Sequence, residues 1–101
     1  MNDYELDAEA AAEFATRLAH MSGRWPSDTK IHDVASSCAH TAWLARNVCG
    51  LAVAAGADKA AEAALRTAMA ATAAAWDAYE TAIIICAGEQ EEHLRKRKVW
   101  P

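Results

Sequence analysis

Alanine fills 27 of the 101 positions, against four glycines and two prolines, and that ratio leaves few choices of secondary structure. Alanine loses no side-chain entropy in a helix and is the strongest helix former, whereas glycine and proline are the residues that end one. The chain therefore reads as all-α. The larger hydrophobes that remain make up about a quarter of it, enough for one narrow core in a single domain over 1–101 and too few for a deep catalytic cavity.

Local punctuation divides the chain into three long pieces. Asn2 with Glu5 has the pattern of a capping box, and Ser22-Gly23 ahead of Trp25-Pro26 reads as a stop, so the first helix covers about 3–21. Ser27 or Asp28 caps a second over about 28–55, with Gly50 inside it, and Asp58 caps a third over about 59–87. Gly88 either ends that helix, leaving a short fourth over about 89–99, or is carried within it at about 1 kcal/mol relative to alanine. The expected architecture is an antiparallel bundle of three long helices, with the short C-terminal fourth helix as the one open choice.

Helical periodicity gives each piece an apolar stripe. Helix one aligns Tyr4, Ala11, Phe14, Leu18 and Met21; helix two aligns Ile31, Val34, Cys38, Thr41, Ala45, Val48 or Cys49, and Ala52. In helix three, Leu65, Met69, Thr72, Trp76, Tyr79, Ile83 and Cys86 alternate spacings of four and three, a heptad seam. The other side of helix three carries the small residues Ala63, Thr67, Ala70, Ala74, Ala78 and Thr81, a track suited to close approach of a neighbouring backbone and to a homodimer contact.

Reactive chemistry finds little support. There is no Glu-x-x-His, Cys-x-x-Cys or His-Glu-x-x-His spacing for a metal, no glycine-rich phosphate loop and no nucleophile elbow, so neither cofactor nor metal is expected and the chain is read as a non-enzyme. Cys38, Cys49 and Cys86 fall on the apolar stripes and read as core fillers. Cys38 and Cys49, eleven residues apart on one helix, are too distant for a disulfide. Unpaired thiols, an acidic N-terminus and the lack of a long apolar run point to the cytoplasm, without membrane contact.

The charge layout is more informative. The net charge of −4 divides into an acidic body and a basic end, because Arg95, Lys96, Arg97 and Lys98 are consecutive. Glu5, Glu9 and Glu13 line one face of helix one. On helix two, Trp43 shares the side opposite the apolar stripe with His32, Ser36, His40 and Asn47, and a large amphipathic ring among polar groups is the composition of a protein-binding hot spot. These residues (Glu5, Glu9, Glu13, His32, His40, Trp43 and Asn47) form the expected partner surface, facing a protein with a basic surface. In the tail, Glu91 precedes Arg95 and Glu92 precedes Lys96 in the order that favours pairing along a helix. The second reading assigns Arg95, Lys96, Arg97, Lys98 and Trp100 to nucleic-acid phosphates and stacking.

With its glutamate stripe at Glu5, Glu9 and Glu13, the exposed-looking Trp43 and no catalytic motif, this short acidic chain is similar in style to small all-helical phage-encoded inhibitors, such as type I anti-CRISPR proteins. The likeness lies in size and composition across the whole chain and transfers no residue role. It implies a stoichiometric inhibitor or adaptor that binds a protein of a CRISPR effector complex or its nuclease. Toxin-neutralising immunity proteins share the same general features.

Overall fold

The computed structural model describes residues 2–23 and 29–98, apart from the side chains of residues 29, 89, 90, 93, 94, 97 and 98. It is all-helical: α1 is Asp3–Ser22, α2 is Thr29–Ala54 and α3 is Asp58–Lys98. The Asn2 side chain accepts from the Glu5 backbone N–H at 3.1 Å, so the expected cap starts α1. The expected cap at Ser27 or Asp28 lies outside the described residues. α2 ends where Gly56 takes φ 69°, with Ala57 N–H donating to the Ala52 carbonyl and Gly56 N–H to that of Val53. That pair of bonds is a Schellman closure, and it requires a residue without a Cβ penalty in the left-handed region. α3 then runs 41 residues without interruption through Gly88, which resolves the open choice against a separate fourth helix.

The three helices pack lengthwise into a rod of 71 × 17 × 16 Å. Its centre is made of alanine. The buried row of α3 is Ala61, Ala64, Ala68, Ala71, Ala75, Ala78 and Ala82; that of α1 is Ala8, Ala12, Ala15, Ala19 and Ser22, joined by Leu18; that of α2 is Ala35, Ala39, Ala42, Ala45, Cys49 and Ala52. Each row keeps the alternating spacings of a packed seam.

These rows correct the expected stripes. In α1 the buried row lies one residue after the expected one, and in α3 one residue before it, a rotation of about 100°. Met69, Trp76 and Ile83 of the expected α3 seam are exposed, as are Phe14, Val34 and Val48 of the other two stripes. The small-residue track is exposed too, with Ala78 alone buried. The reason is distance: side-chain atoms of one helix reach the main chain of the next, as when the Thr72 hydroxyl lies 2.9 Å from the Ala11 carbonyl and the Cys49 thiol 3.5 Å from that of Ala61. At such separations methyl groups fit best between the axes, and most longer side chains are displaced to the flanks, with Leu18 and Cys49 buried among them.

Contacts between α1 and α3 at Ala11–Thr72 and Phe14–Trp76 place the end of α1 level with about residue 83 of α3. The last 15 or so residues of α3, roughly 22 Å, therefore project past both neighbouring helices. Among the described residues no helix is long and apolar enough to cross a membrane.

An alanine-filled centre should tolerate no growth. Ala75→Leu is expected to destabilise by about 1–3 kcal/mol in urea denaturation through overpacking, whereas Leu51→Ala, at a side chain 72% exposed, should stay within about 0.5 kcal/mol.

Candidate functional site

The expected partner residues converge on the boundary between α1 and α2, where they serve two different purposes. Glu9 Oε1 accepts from Arg46 Nη2 at 3.3 Å across the two helices, with both side chains about one-quarter to one-third exposed. Glu5 is half-buried beside them, its Oε2 lying 3.6 Å from where a Cβ would stand on Gly50. Two of the three stripe glutamates thus face α2. Glu13, next along α1, is exposed.

Trp43 is half-buried on the same boundary, packed against the alanine centre, and its Nε1–H donates to Thr16 Oγ1 at 2.8 Å. Its ring edge is therefore engaged by α1. His32 is half-buried at the other end of α2 and its Nδ1–H donates to the Ala19 carbonyl at 3.0 Å, satisfying one of the groups that α1 leaves open at its C-terminus. The close approach of that ring explains Gly23: a Cβ there would come within 2.9 Å of His32 Nδ1. His40 and Asn47 are exposed.

Outside these contacts Glu13, His40 and Asn47 are exposed and Trp43 is half so, and Leu44 and Leu51 are exposed on α2, with Leu44 on the side toward α3. Arg46, which sequence reading did not single out, organises the buried part. Its signal is a lone guanidinium between apolar residues on a helix that must pack, and its Nε is buried without a hydrogen-bond partner.

Other apolar side chains gather in shallow grooves. One of about 280 Å³ between α2 and α3 is lined by Thr41, Leu44, Ala45, Val48, Ala64 and Thr67. On the α1–α3 side Phe14 stacks on Trp76 with ring centroids 6.2 Å apart, and Trp76 is tilted against Tyr79 at 5.9 Å. Among the described residues no three His, Cys, Asp or Glu side chains gather where a metal ion would sit.

In the projecting part of α3, Arg95 Nη2 lies 3.8 Å from Glu91 Oε1, the order expected from the sequence, while Glu92 and Lys96 are exposed without forming the second pair. The side chains of Arg97 and Lys98, and all of Trp100, lie outside the described residues.

All three cysteines are free thiols; Cys49 is buried, and Cys38 and Cys86 are half-buried. Burial pushes the Cys49 thiol above its ordinary value, the Glu5 carboxylate adds to this and Arg46 opposes it. A raised pKa means that the folded chain holds the thiol proton more tightly than the unfolded one. Its contribution to stability is fully present below the ordinary thiol range and is lost as the pH rises above that range and through the raised value of the folded chain. Cys49 should therefore be alkylated last of the three, and only at the rate of unfolding, as read by mass spectrometry of iodoacetamide-treated protein.

Comparison with protein-family models, curated proteins and solved structures finds no match to this chain.

Proposed function

We propose that this chain is a non-enzymatic protein-binding module, an inhibitor or adaptor that works in the cytoplasm through side chains on the outside of rigid helices. One observation supports this above the others: among the described residues eleven large hydrophobes, Leu44, Val48, Leu51 and Ile84 with them, are exposed, while Leu18 is buried in the alanine centre. Soluble domains expose single apolar residues freely, but contiguous groups of them mark interaction surfaces. Here Leu44, Val48 and Leu51 are each more than half exposed along α2, with Leu44 and Val48 on the side toward α3, while His40 and Asn47 are exposed on the same helix and Glu13 on α1. Together these give an apolar strip, polar groups and a carboxylate, the composition suited to a partner with an apolar patch edged by basic residues. The acidic body adds long-range attraction to such a partner. Three free thiols suit a reducing compartment. The likeness in style to type I anti-CRISPR proteins makes a component of a CRISPR effector complex the first partner class to try.

The test is capture of a partner from host lysate on the immobilised chain, followed by affinity measurement with variants. Leu44→Glu and Leu51→Glu, together or singly, should weaken binding by about tenfold or more with helicity unchanged by circular dichroism, and Glu13→Lys should slow association in low salt. Glu9→Lys is unsuited to this purpose, since it breaks the Arg46 pair and lowers stability. Unchanged affinity in the leucine variants would overturn the assignment of this strip.

A further inference from the structure

Residues 77, 81, 84, 88, 91 and 95 follow spacings of four and three along α3, so they share one face of it, on the side away from the alanine row. All six, Asp77, Thr81, Ile84, Gly88, Glu91 and Arg95, are exposed. Ile84, at 71%, is among the most exposed large hydrophobes of the molecule. The set is also a palindrome about Cys86 in complementary chemistry. Asp77 and Arg95 stand nine residues to either side of it, Thr81 and Glu91 five, and Ile84 and Gly88 two.

We propose that this outer face of α3 pairs antiparallel with the same face of a second copy of the chain, about a two-fold axis level with Cys86. In that arrangement no member of the row meets a like charge. The Asp77 carboxylate of one copy lies opposite the Arg95 guanidinium of the other, and Thr81, whose hydroxyl donates to the Asp77 carbonyl of its own helix at 2.8 Å, sets an uncharged side chain opposite the Glu91 carboxylate. Ile84 enters the space over Gly88, where a Cβ would meet nothing within 4 Å on its own chain. Symmetry doubles every contact, giving a knob-into-hole seam with an ion pair at each end.

Charge selects this orientation and this occupant. A parallel pairing sets Asp77 against Asp77, Glu91 against Glu91 and Arg95 against Arg95, and like charges in register are strongly disfavoured. Glu80, to one side of the seam, is the acid left nearest Glu91 of the other copy, and the Arg95 that follows Glu91 by one turn offsets that repulsion. The bundles fall on opposite sides of the paired helices, because α1 and α2 pack against the reverse face of α3. The exposed strip of α2 stays open, so this pairing holds whether or not the proposed partner binding does.

Light scattering and sedimentation of the purified full chain over a range of concentrations test it without any partner. The wild type should double its mass as concentration rises. Ile84→Glu and Gly88→Leu should each weaken self-association by more than about tenfold. Gly88→Leu separates this from misfolding, since leucine is the better helix former and has open space there, so the variant should keep its helicity and melt no lower. Asp77→Arg alone should weaken the dimer, and Asp77→Arg combined with Arg95→Asp should restore it. A wild type that stays monomeric up to millimolar concentration, a dimer indifferent to Ile84→Glu and Gly88→Leu, or a failure of the charge exchange to restore pairing would each overturn the proposal.

Discussion

Close contact of three helix backbones across alanine methyl groups is the condition on which the rest of this molecule depends. Each buried methyl contributes only about 0.8 kcal/mol of transfer free energy, so cohesion comes from the number of such contacts and from dispersion between main chains brought near one another. Alanine rows have a further property: they look alike at every turn. Sliding one row past another by a turn keeps methyl against methyl, and an alanine seam by itself selects no register.

The polar links between helices supply that selection. Trp43 to Thr16, Arg46 to Glu9, His32 to the Ala19 carbonyl and Thr72 to the Ala11 carbonyl each form at one alignment only. A slip of one turn would break them together: the Thr72 hydroxyl would keep the Ala68 carbonyl of its own helix, while the partly exposed groups of the other three links would lose their partners. Residues that read as a partner surface in the sequence are in this way divided by the fold. Glu9, His32 and the indole edge of Trp43 hold the helices in register, while Glu13, His40, Asn47 and the leucines of α2 remain available outside.

Displacement of bulk to the surface follows from the same closeness. Few side chains larger than alanine sit between the axes: Leu18, Cys49 and Ser22 are the ones fully buried among the described residues. Phe14, Trp76, Met69, Leu44, Val48 and Leu51 consequently stand on the flanks, where they cover part of the seam and present the remainder outward. The result is a scaffold stiffened by backbone contact and carrying apolar groups outside, and the overhanging end of α3 extends past the bundle.

Much of the secondary structure is written locally. The Asn2 cap, the stop at Gly23 and the left-handed turn at Gly56 depend on a few neighbouring residues, and helix propensity carries the rest, including the passage of α3 through Gly88. The buried face is not local information. Periodicity reports where large apolar residues lie on a helix, and it equates that face with the core only when the helices stand far enough apart to admit them. Here the alanine rows and the bulky rows differ by a single position, and hydropathy favours the bulkier one. The choice between them was made by the distance between helices in the assembled bundle. The sequence alone determined that three long helices form and that Asn2, Gly23 and Gly56 bound them, although α3 begins at Asp58 itself, with the Ala57 carbonyl accepting its first bond, so that Asp58 is not its cap. Tertiary packing alone decided which rows meet, because only contact with a neighbouring backbone gives a small side chain its advantage over a large one.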